Sequence, residues 1–142
     1  MNYSLAPNDW AICFQNECPM ADACLRHAIG RLAPADLTHH TIVLPAARQG
    51  DHCTLFVSKE PVLVARGMQH LLPSMPAELK SRVLRGLYDI FGSRAQYYRY
   101  REGRYPITPE QQHRVTSLFR SCGIRQEPVF DTTSWGYVFP CP

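Results

Sequence analysis

The chain has 142 residues, 45% of them hydrophobic and 19% charged. That is enough to bury a core, as one compact domain or two small modules, so neither a disordered chain nor a scaffold held by disulfides alone is required. The net charge of +3 hides an asymmetry: residues 78–125 carry ten Lys/Arg and four Asp/Glu, a balance of +6, and the remainder carries −3.

Thirteen of the fifteen basic residues are Arg, the side chain suited to forked contacts with phosphates and guanine edges. A solvated helical face is the other use of the same bias. The opening "MNYSLAPNDWAIC" lacks a basic start followed by an apolar run. No stretch approaches the roughly 20 apolar residues that span a bilayer, so the reading is a soluble, cytoplasmic protein with no membrane partner. In a reducing compartment, closely spaced thiols serve as metal ligands more often than as disulfides.

In chain order, residues 1–18 read as an irregular lead-in. "MADACLRHAIGRL", from Met20, predicts a short helix ending before Pro34. "TIVLP", residues 41–45, predicts a strand rich in β-branched residues and stopped by Pro45. Residues 46–54 read as a loop carrying Gly50, Asp51, His52 and Cys53. Ser58 is placed to cap a helix running to about Leu72, with Pro61 in its first turn.

The second half is more regular. Pro76 opens a helix through Phe91 whose stripe is Leu79, Val83, Leu84, Leu87, Ile90 and Phe91, and Gly92 ends it. Ser93 and Gln96 form a capping-box pattern that starts the next helix, stopped by Gly103. Thr108, Pro109 and Gln111 repeat the signal for a third, with Val115, Leu118 and Phe119 apolar and Gly123 as the stop. The aromatic tail has a short strand at Gly136–Phe139.

The fold class is therefore mainly α with a small β element (α+β). A Cys-rich metal-binding part, residues 1–58, packs on a helical part, residues 59–142, that contains a three-helix segment at 76–124.

The chemistry centres on Cys13, Cys18, Cys24 and Cys53. Four soft thiolates satisfy either tetrahedral zinc or an iron–sulfur cluster. The C-x4-C-x5-C spacing contains no tight C-x-x-C knuckle, and it wraps more easily around something larger than one ion, so the reading leans to the cluster. His52 is a substitute ligand, with His39 and His40 weaker ones. Cys122 is assigned to the core, and Cys141 has no assigned role.

Three resemblances add to this. "CPMADACLRHA", residues 18–28, resembles the second half of the cluster motif in WhiB-like iron–sulfur regulators, with a Cys-Pro step, a five-residue gap and a Cys-Leu opening a helix. It differs in the preceding gap, four residues rather than two, and in a fourth cysteine that follows the motif. Residues 79–124 resemble the helix-turn-helix family of bacterial regulators, whose second helix enters the major groove. On this chain that implies Arg94 and Gln96 facing bases, and Arg99, Arg101 and Arg104 on phosphates. Tyr97, Tyr98 and Tyr100 then divide between core and backbone contacts. "CFQNECPMADACLR", "DHCTLF", "ARGMQHLL", "FGSRAQYYRY" and "EPVFD" together resemble an uncharacterised bacterial domain-of-unknown-function family.

The functional expectation is a small DNA-binding regulator or accessory factor with a four-cysteine site. The alternative is a non-catalytic protein-interaction module with a structural metal. RNA is a further partner that aromatic and Arg side chains serve. With no phosphate-cradling glycine loop, nucleophile–base pattern or paired carboxylates, the chain is not read as an enzyme.

Overall fold

The computed structural model describes residues 1–73 and 75–140. The chain is a mostly helical α+β protein with four α-helices and two small antiparallel sheets among the described residues. It divides into two compact units: Met1–Glu60 together with the tail from Phe139, and Pro61–Val138.

In the first unit the segment expected to be one helix from Met20 is broken in two. A 3-10 turn at Ala21–Ala23 precedes α1, Leu25–Gly30. The break is Cys24, whose extended backbone (φ −95, ψ 123) bridges Ser58 instead of continuing the helix. Leu25 N–H donates to Val57 O at 2.7 Å and Lys59 N–H to Ala23 O at 2.9 Å, so strand-type pairing outcompetes a helical turn there.

"TIVLP" does not form the expected strand. Ile42 makes one isolated parallel bridge to Ile12, with hydrogen bonds on both sides, and Pro45 then opens a 3-10 turn. Pairing with Ile12 stops at that single bridge, so no strand propagates. The expected loop at 46–54 is instead a minimal hairpin, β1 at Arg48–Gln49 and β2 at His52–Cys53. Gly50 turns it in a left-handed conformation, φ 63.

The second unit corrects the helix expected after Ser58. Val62–Arg66 is a strand, β3, paired antiparallel with β4, Thr132–Gly136. Ala65 also exchanges two hydrogen bonds with Ile107, at 3.1 and 2.7 Å, which flanks β3 on its other side. Both partners lie more than 40 residues downstream, so local spacing does not reveal them. The tail strand accordingly falls at 132–136 rather than at 136–139, in the register Leu63 opposite Trp135.

The three expected helices form: α2 at Ala77–Phe91, α3 at Arg94–Arg101 and α4 at Pro109–Ser121. Gly92 ends α2 at φ 98. Ser93 Oγ accepts from the Gln96 N–H, and Thr108 and Gln111 form a complete capping box. These caps satisfy main-chain donors that a helix start leaves open. Val83, Leu87 and Phe91 of α2, Tyr97 of α3, and Val115 and Phe119 of α4 close on Ala65, Met68 and Ile107 as the core. Among the described residues no helix is long and apolar enough to cross a membrane.

Candidate functional site

The four cysteines of the expected ligand set line one cavity in the first unit. Each is positioned by a different piece of local structure. Cys13 follows the Ile12 bridge, and its N–H donates to Arg26 O at 3.0 Å. Cys18 sits at a turn where its carbonyl accepts from Ala21 N–H at 2.9 Å. Cys24 is the residue between the 3-10 turn and α1, and Cys53 lies on β2 opposite Arg48.

Cys13 and Cys24 are buried; Cys18 and Cys53 are half-buried. Burial pushes the Cys13 thiol above its ordinary value; the main-chain N–H of Gln15, directed at its sulfur, draws it back down, and neighbouring Cys24, Cys18 and Cys53 push it up. Cys18, Cys24 and Cys53 therefore each lie within electrostatic reach of Cys13. Among the described residues, however, no three His, Cys, Asp or Glu side chains form a group that could hold a single metal ion.

The remaining wall is largely apolar, with Met20, Ala21, Val43, Leu55 and Phe56. Two residues beside the cavity escaped the sequence reading. His27 is 5% exposed and its Nε2 lies 3.0 Å from Asn16 Oδ1. Arg26, 2% exposed, donates from Nε to Leu55 O at 2.8 Å and from a terminal nitrogen to Ala11 O at 2.7 Å. Its guanidinium also lies 4.2 Å from the centre of the Trp10 ring. Arg26 thus ties together the segments that deliver Cys13 and Cys53. The available signal was "CLRH", an Arg-His pair one residue beyond a ligand candidate, but charged residues are seldom buried and periodicity gives no reason to bury these.

The substitute ligands are elsewhere. His39 approaches Thr38 Oγ1, His40 approaches Thr41 O and packs edge-on to Tyr3, and His52 is exposed on β2; none lines the cavity. Cys122 caps the end of α4 and packs against the core of the second unit. Cys141 lies outside the described residues.

The residues expected at a nucleic acid divide. Arg94, Arg99 and Arg104 are exposed, while Gln96 and Arg101 are half-buried. Arg94 and Arg101 both lie over the Tyr98 ring, at 5.8 and 6.0 Å, and Arg104 pairs with exposed Glu102 at 2.9 Å. Tyr97 is a correction: at 1% exposure it is a core residue, edge-on to Tyr88 and Tyr98, and it offers no surface to a nucleic acid. The helical period puts it on the inner face of α3, four residues beyond the Ser93 cap.

Fold and site together define a mostly helical α+β protein with four cysteines gathered at one apolar cavity. The chain belongs to the family of unknown function DUF6078, whose model matches residues 1–139. No curated protein and no solved structure matches it.

Proposed function

We propose that the protein is a non-catalytic regulator or accessory factor that carries a thiolate metal centre, iron–sulfur or zinc, and contacts DNA through its helical unit. The observation that carries the first half is the convergence of Cys13, Cys18, Cys24 and Cys53 on one cavity although they span 41 positions of the chain. Four thiols facing one cavity, two of them half-buried, offer the soft donor set that such a metal takes. Iron, zinc and acid-labile sulfide, measured in protein purified without oxygen, test it. Folded protein retaining neither metal would remove this half of the proposal.

The second half rests on the exposed Arg94, Arg99 and Arg104 and on the Arg94–Tyr98–Arg101 stack, in the segment of charge +6. Forked cations contact phosphates and base edges there. Arg94→Ala is expected to weaken binding to a preferred sequence by about 1–3 kcal/mol. Arg104→Ala is expected to weaken binding to all sequences and to reduce the log–log salt slope by about 1. Titration of labelled duplexes at several salt concentrations reads both, and unchanged affinity in both variants would discard this surface.

A second reading has its own observation. Phe14, Ile42, Leu44 and Phe56 of the first unit are exposed at 40–63%. Large apolar side chains left in water favour a protein-interaction module with the metal as a staple. Salt-insensitive behaviour with nucleic acid together with metal-dependent folding would favour it.

A further inference from the structure

The second unit carries a sheet edge with nothing beside it. β4 pairs with β3 on one side, and among the described residues no element lies on its other side. We propose that this edge is a dimerisation surface, on which β4 of a second copy of the chain pairs antiparallel to make one continuous sheet of the two copies.

Hydrogen-bond parity identifies the open groups. Ala65 exchanges both its main-chain bonds with Ile107, and Leu63 O accepts from Gln112 Nε2 at 3.0 Å, so both residues direct main-chain polar groups away from β4. Residues opposite such positions form the non-hydrogen-bonded pairs of an antiparallel ladder. Thr133, opposite Ala65, and Trp135, opposite Leu63, therefore turn their N–H and C=O outward, whereas Thr132, Ser134 and Gly136 bond to β3.

The outward groups are self-complementary. With Ser134 of each copy on a two-fold axis, Thr133 of one copy lies opposite Trp135 of the other and exchanges both bonds with it, and Trp135 does the same with Thr133. Side chains fit this register. On one face Ser134 meets Ser134 at the close pair on the axis, and Thr132 meets Gly136, which has no side chain to clash. On the other face Trp135, 72% exposed, lies across from β-branched Thr133 and diagonal to the second Trp135, a separation of about 7–8 Å that aromatic rings span. Leu63, 44% exposed, extends that apolar row.

Charge favours a second copy as the occupant. Thr132–Gly136 contains no charged residue and no Pro, the devices by which natural sheet edges turn one another away, so two copies meet without like-charge contact. One operation covers both the open main chain and the exposed indole. The assembly closes at the dimer, because Ile107 already occupies the outer side of β3.

The test is sedimentation equilibrium of the full chain across a wide concentration range, with tryptophan emission recorded on the same samples. The wild type is expected to pass from monomer to dimer as concentration rises, with a blue shift in emission, because Trp10 is already buried and Trp135 is the exposed indole. Thr133→Pro removes an outward N–H without removing a bond to β3, and Trp135→Lys places a charge on the edge. Each should raise the dimer dissociation constant about tenfold or more, with circular dichroism reporting on folding. Trp135→Lys changes an exposed side chain, so it reads the interface even where the Pro variant does not fold. A dimer of unchanged affinity in Trp135→Lys overturns the proposal, as does an open-ended assembly larger than a dimer. Wild-type protein that stays monomeric throughout overturns it too and leaves the edge to a strand from a different protein.

Discussion

At the scale of single residues, composition and environment disagree most at Tyr97. Its ring completes the core between Tyr88, Phe91 and Tyr98, but its hydroxyl is buried without a hydrogen-bond partner among the described residues. Burial pushes its ionisation up to about 12 from the ordinary 10. A raised value in the folded state means that folding favours the protonated form. Its contribution is therefore fully present below pH 10 and is lost as pH rises through 12. Tyr97→Phe removes a buried unsatisfied group at constant shape, so stability at neutral pH should be unchanged or higher by up to about 1 kcal/mol. Urea unfolding across the alkaline range should then show a shallower loss than wild type. A large loss at neutral pH would mean that the hydroxyl has a partner after all. The same scale explains why Arg26 and His27 were illegible: each is buried through main-chain or amide partners that only the folded chain brings within reach.

At the scale of elements, the chain was legible wherever a start or stop is written locally. The α2 end at Gly92, the Ser93 cap and the Thr108–Gln111 box are all local hydrogen-bonding chemistry, and all three formed where the residues put them. Elements that depend on a distant partner were misread. Val62–Arg66 has apolar spacing compatible with a helix, but it is a strand because Thr132–Gly136 and Ile107 pair with it. Within α1 the decisive residue is Gly30. A methyl group there would drive into the carbonyl of Cys13, so the end of α1 and the main chain of a candidate ligand touch backbone to backbone. Gly30→Ala is expected to cost about 1–3 kcal/mol by overpacking. Under the proposed metal reading it should also lower metal retention, because relief of the clash moves Cys13. Thermal melts with metal analysis check both, and an unaltered variant would show that the α1 end shifts freely.

At the scale of the whole molecule, the candidate metal centre lies in the first unit and the +6 segment in the second. A ligand that binds only the folded form stabilises the unit that holds it. If the first unit holds a metal as proposed, stripping it should therefore lower the melting transition of that unit and leave that of the second in place. Calorimetry of the full chain before and after chelation reads this as one moving and one stationary transition. A single transition that moves as a whole would show that the two units unfold together.

Residues alone determined the α+β class, the three capped helices of the second half, the charge asymmetry and the identity of the four thiols, because each is set by side-chain type and short-range spacing. The resemblance to a domain-of-unknown-function family was legible too, and the family model matches residues 1–139. Only the tertiary structure decided that Cys53 joins Cys13, Cys18 and Cys24 at one cavity. It alone showed that Arg26 and His27 stand beside them, that Tyr97 belongs to the core, and that residues 62–66 are a strand. Each of those outcomes depends on contacts between residues far apart in the chain, whose free energy exceeds the weak local preferences that a sequence displays.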